Sequence, residues 1–135
     1  MINIFLAVKY IIVSILLWFT VFLWHEMGHI KSQGLMMTGT IWIHKYGFTC
    51  HPDTVTDVEL LSYAGGLLSS ILSSICVFLV NDSVWQFGFL GMAWVNLAYG
   101  IYEGGPWSIK WRYVIYGIVL LIYIIFWWLI GGFNI

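Results

Sequence analysis

The chain has 135 residues, of which 61% are hydrophobic, 19% aromatic and only 8% charged. A water-soluble domain of this size has too little interior to hide so much apolar surface, so the composition points to an integral membrane protein forming one domain over residues 1–135. The formal net charge of −1 supplies no basic field for nucleic acid.

In chain order, the first apolar segment runs from about Ile4 to Ile30, long enough to cross a hydrocarbon core about 30 Å thick. Its length, and the lack of a small-residue cleavage site after it, argue against a secretory leader. The segment ends in His25-Glu26-Met27-Gly28-His29, an HExxH motif. On a helix, His25 and His29 lie one turn apart on one face and can share a zinc ion, with Glu26 beside them to take a proton from the attacking water. Two imidazoles and a carboxylate are costly inside hydrocarbon, which makes such a cluster a functional site by default. The competing readings are two histidines hydrogen-bonded within a bundle, or haem ligands.

Residues 31–59 read as an extramembrane piece, cytoplasmic or interfacial. Thr38–His51 is rich in Thr, Ile, Trp, Tyr and Phe and is interrupted by Gly47, the pattern of a short β-hairpin. An exposed strand edge here could hold an extended substrate; a plain interfacial connector is the alternative. Cys50 falls in this loop and Cys76 in an apolar segment, a poor disulfide pair without CxxC spacing for metal.

A second span covers about Leu60–Val80. Gly66, Ser70 and Ser74 repeat every four residues within it, a small-residue face on which another helix can pack closely. The third span, about Val84–Tyr102, contains Asn96 and runs directly into Glu103, and the fourth covers about Tyr113–Ile130. The expected fold is therefore an all-α membrane protein of four transmembrane helices, with a hairpin-like loop after the first.

Four crossings place Lys31, Lys45, Lys110 and Arg112 on one side and Lys9 toward the other. The excess of positive charge makes the first side cytoplasmic and puts both termini outside. His25 is then about 24 Å along the helix from Lys9, within the bilayer but nearer the cytoplasmic face. Trp107, Trp111 and Tyr113 on that side, and Trp127 with Trp128 on the other, read as interfacial anchors.

A catalytic zinc takes three protein ligands and leaves one position open. Glu103 is the candidate for the third, because its helix end lies on the same side as the motif; His44 and His51, both in the loop, are its rivals.

These residues carry a resemblance to the site-2 protease family of intramembrane zinc metalloproteases. HEMGH resembles the family's first motif, Tyr63-Ala-Gly-Gly66 its Ala-Gly-Pro, and Asn96-Leu97…Glu103-Gly104-Gly105 its Asn-Leu-x-Pro…Leu-Asp-Gly-Gly. Glu103 stands where the family has Asp, Tyr99 lies near the place of a Pro, and the spacing from Asn96 to the carboxylate is a residue short. The resemblance implies a near-minimal catalytic core that binds Zn²⁺ through His25, His29 and Glu103 and hydrolyses peptide bonds in or near transmembrane segments of substrate proteins. Glu26 would be the base, and Asn96 would steady the substrate backbone or the developing oxyanion. A catalytically inactive relative that binds metal or a partner is the alternative, and the sequence fixes no oligomeric state.

Overall fold

A computed structural model describes residues 3–45, 47–105 and 109–131. Helix α1 (Ile4–Lys31) is followed by strands β1 (Gly39–His44) and β2 (Gly47–Pro52), then by α2 (Val58–Leu79), α3 (Ser83–Gly104) and α4 (Ile109–Leu129). The protein is mostly helical. Helices α1 and α2 are each long and apolar enough to cross a membrane, and Tyr113–Leu129 is a shorter apolar helical stretch.

Side-chain oxygens start three of the helices where the sequence supplies them. Asn3 accepts from the Leu6 amide, Asp57 from Leu60, and Asp82 from both Val84 and Trp85. Each satisfies backbone donors that the first helical turn leaves without partners.

Helices α1, α2 and α3 pack on one another, and α4 packs on α3. Small residues set the closest approaches. A Cβ on Gly66 would strike the α3 backbone at Gly100, and one on Gly28 would press on Ala64 and Gly65 of α2 at 3.1 Å. The small-residue face of α2 is in fact double. Gly65, Ser69 and Ser73 are buried, as is Gly66, while Ser70 donates to the Ala93 carbonyl of α3 at 2.9 Å. Ser74, expected on that face, is exposed and bonds back to Ser70 of its own helix. A helix wedged between two partners needs small residues on two stripes, and a single four-residue repeat describes only one.

At the end of the bundle remote from the motif, Tyr10, Val13, Leu17, Val84 and Phe89 form an apolar cluster. Lys9 meets Asp82 there at 2.5 Å, pairing α1 with the turn before α3. Trp128 is exposed, but Trp127 is 6% exposed, with its ring 5.3 Å from Phe87. Trp127 is thus a packing residue between α4 and α3 and not the interfacial anchor that its position in the chain suggests. Trp107 lies outside the described residues.

The two strands pair antiparallel from Gly39↔Pro52 to His44↔Gly47. The hairpin does not stand away from the helices. It doubles back along α1 with β2 inward, and the Phe48 ring lies 5.3 Å from Phe19 and 6.4 Å from Trp18. Those partners sit six or seven residues before His25, so the loop expected outside the helical bundle runs well down its side. The reason is apolar surface: Phe48 finds cover on the aromatic flank of α1, where burial of a ring is favourable.

Gln33 secures the other end of the loop. It is buried at 6% exposure, its Oε1 accepts from the Thr56 and Asp57 amides, and its Nε2 donates to the Asp57 carbonyl. This ties the start of α2 to the end of α1, beside the motif.

Candidate metal centre

His25 and His29 lie one turn apart on α1, and Glu103 comes from the last turn of α3. One ligand atom from each falls within 4.8 Å of the others. His25 Nε2 is 2.6 Å from Glu103 Oε1, His29 Nε2 is 2.9 Å from Oε2, and the two Nε2 atoms are 3.0 Å apart. His25 is fully buried and His29 is 7% exposed.

The far nitrogens of both rings decide what this cluster can hold. His29 Nδ1 is 2.5 Å from the Leu61 carbonyl of α2, which can only accept, so this nitrogen carries the proton. His25 Nδ1 is 3.0 Å from Asn96 Oδ1, and the Asn96 amide nitrogen donates to the Met92 carbonyl at 2.9 Å, which leaves its oxygen as the acceptor. In their neutral form, both imidazoles turn the lone pairs of Nε2 toward each other and toward a carboxylate. Three such electron-pair donors aimed at one point repel unless a cation, a metal ion or a proton, lies among them.

The set suits zinc. For zinc, tetrahedral bonds of about 2.0–2.1 Å would put neighbouring ligand atoms about 3.3 Å apart, against 2.6, 2.9 and 3.0 Å here. Hydrogen bonds on the second ring nitrogens are the usual support of metal-binding histidines, since they fix both tautomer and ring orientation.

Gly65 shapes the seat of His29. A Cβ at that position would run into the imidazole at Nε2, and would lie 2.7 Å from Cδ2 and Cε1. Tyr99, one turn before Glu103 on α3, sets its ring 4.8 Å from that of His25.

Glu26, 6% exposed, stands beside the cluster and lines a cavity of about 420 Å³ together with His29, Glu103, Leu61, Ser62 and Tyr99. Five consecutive residues of β2, Phe48 to Pro52, complete the lining. Neighbours on a strand point to opposite faces, so an unbroken run means that β2 turns its edge to the cavity. Cys50 on this strand faces the Glu26 carboxylate; burial, and then that carboxylate, push its thiol up to about 12.

Of the residues singled out by sequence, the structure joins His25, His29, Glu26 and Glu103. Asn96 takes a different place from the one expected of it. It is fully buried, with its amide committed to His25 and Met92 and not turned toward the cavity. Among the rivals for third ligand, His51 lines the cavity outside the ligand group and His44 ends β1, exposed. Cys50, the Leu61 carbonyl and Gly65 were not anticipated. The first two are brought in by the docking of other elements; only Gly65, within Tyr63-Ala-Gly-Gly66, lay in a motif already noted.

The chain matches no protein-family model, no curated protein and no solved structure.

Proposed function

We propose that this protein is an intramembrane zinc metalloprotease that hydrolyses peptide bonds in or near the transmembrane segments of other membrane proteins. The observation that carries the proposal is the convergence of His25, His29 and Glu103, two helices' worth of electron-pair donors, with the carboxylate of Glu26 beside them at the wall of an open cavity. The site-2 proteases, which the motif residues resemble, do this chemistry.

Bound to His25, His29 and Glu103, zinc would supply a Lewis acid that polarises the scissile carbonyl and acidifies a water. Glu26 accepts the proton of the attacking water and returns it to the leaving amine. Asn96 and the Leu61 carbonyl act one step back, holding the imidazoles with their lone pairs forward.

An extended substrate finds a backbone partner in the edge of β2, which borders the same cavity. A helical substrate has its carbonyls tied up in i→i−4 bonds and must first unwind, which favours Gly, Pro or Asn near the cut. In this reading α1, α2, α3 and α4 all cross the bilayer and both termini lie outside. The metal lies nearer the cytoplasmic face, with the hairpin dipping beside α1 toward the membrane interior.

Zinc content and cleavage of a single-span reporter protein, measured on purified protein in detergent, test the reading. Glu26→Gln is expected to keep the metal and lose cleavage, while His25→Ala and Glu103→Ala lose both. Normal turnover by Glu26→Gln refutes the mechanism, and a metal-loaded wild type that cuts nothing identifies a metal-holding relative without activity.

A further inference from the structure

A second cavity, of about 320 Å³, adjoins the first and shares Glu26, Phe48 and Tyr99 with it. Its walls follow the helical repeat. Trp18, Phe22 and Glu26 are spaced four apart on α1, and Val95 and Tyr99 are spaced four apart on α3, on the stripe that ends in Glu103. Tyr113 and Tyr116 close it from α4, and Gly47 and Phe48 from the hairpin. The two cavities therefore lie along one cleft between α1 and α3, with the candidate metal centre at one end and a chamber of rings at the other.

The rings hold one another in place. Tyr99 stacks on Tyr116 at 5.5 Å and meets Phe22 edge-on at 6.0 Å, and Phe22 lies 5.0 Å from Trp18. Among the described residues, Glu26 is the one charged side chain in the lining, and it sits where the chamber joins the metal cavity. In the catalytic reading Glu26 addresses the water that attacks the scissile carbonyl, so a side chain entering this chamber belongs to a residue directly flanking the cut.

We propose that this chamber is the specificity pocket of the protein, taking one large apolar side chain, preferentially aromatic, next to the scissile bond. The inference rests on the protease reading and deepens it by naming the substrate feature selected. Aromatic walls offer a planar guest edge-to-face and offset contacts on several sides. A small guest leaves the rings without partner atoms.

The test uses the full chain loaded with zinc and a single-span reporter substrate in which each residue flanking the cut is varied through Ala, Leu, Phe, Trp and Lys. At one flanking position Phe or Trp is expected to be cleaved at least about tenfold faster than Ala, the scale on which an apolar pocket discriminates by size. Val95 lines the chamber but not the cavity beside the metal ligands. Val95→Phe is expected to abolish that preference, and Val95→Ala to favour Trp over Phe. Binding gives a second readout independent of turnover: in Glu26→Gln, a peptide with benzoylphenylalanine at that position is expected to cross-link to Trp18, Phe48 or Tyr113.

Cleavage without a preference at any flanking position, a preference that Val95→Phe leaves intact, or cross-links confined to residues outside the chamber each overturn the proposal. A preference for Lys also overturns it, in favour of a cation held over the ring faces. If no reporter is cut by the wild type, the protease reading itself fails and takes this pocket with it.

Discussion

Gly65→Ala isolates the seat of His29 from every question about substrate. The added methyl would stand 2.7 Å from two carbons of the imidazole, where ordinary contact begins at 3.4 Å. The ring must retreat by at least roughly 0.7 Å, and by more at Nε2, the atom the methyl meets first; this is several times the ±0.2 Å or so over which a zinc–nitrogen bond holds its length. Retreat also breaks the short bond from Nδ1 to the Leu61 carbonyl, the support that fixes the ring. Losing such support alone costs roughly 10–100-fold in metal affinity, so losing position as well should exceed it. The assay is competition for zinc against a chromophoric chelator on purified protein, with circular dichroism to confirm that helix content is unchanged. The ring is a side chain and can swing aside, so the bundle survives this change. Gly66→Ala, which strikes the backbone of α3, provides the contrast: it should lower the unfolding temperature. Wild-type zinc affinity in Gly65→Ala would refute the placement of His29 against α2, and with it the three-ligand geometry.

Three other outcomes follow from the same structure. Asn96→Ala should weaken zinc binding by roughly 10–100-fold, because it frees the His25 ring. Asn96→Asp, which still accepts from Nδ1, should recover most of that loss; equal damage by both would mean that Asn96 serves packing alone. The Cys50 thiol, pushed up to about 12, should alkylate slowly at pH 8 in folded protein and fast once unfolded. Glu26→Gln removes the charge that helps raise it and should speed the folded reaction; an unchanged rate would separate the two groups. Lys9 holds the Asp82 carboxyl below its ordinary value of 3.8, so the stability this adds is complete above that pH and lost as pH falls toward the lower folded value. Asp82→Asn keeps the helix cap and should lose this acid limb in a plot of unfolding temperature against pH; an acid limb like that of the wild type would exclude the pairing.

Local pattern made much of this protein legible before its structure. Helix ends fall within a few residues of the apolar segment boundaries, and the β-branched and aromatic run interrupted by Gly47 forms the two strands. His25, Glu26 and His29 could be read because helical spacing alone puts them together, and Glu103 because a helix end can be placed by counting turns. What escaped reading was set by one element docking on another. The hairpin's course along α1 depends on Phe48 meeting Phe19 and Trp18, and no periodicity in Thr38–His51 announces that. Asn96 resembles a substrate-facing residue by sequence context, yet the rotation of α3 turns it to His25. The Leu61 carbonyl is invisible in a sequence because any residue offers a carbonyl there. Trp127 belongs to the same class: a tryptophan near a helix end suits either an interface or a neighbouring helix, and packing alone decides.

The histidine supports have a consequence for how the protein matures. Asn96 belongs to α3 and the Leu61 carbonyl to α2, while the rings they steady belong to α1. The three-ligand group therefore cannot exist on any single helix, nor on the first two alone, because Glu103 and Asn96 arrive only with the third. On the proposed reading, newly made chain would thereby be kept from capturing metal, and from cutting its neighbours, until the bundle has closed. Removing a bound ion would then loosen the junction of all three helices together.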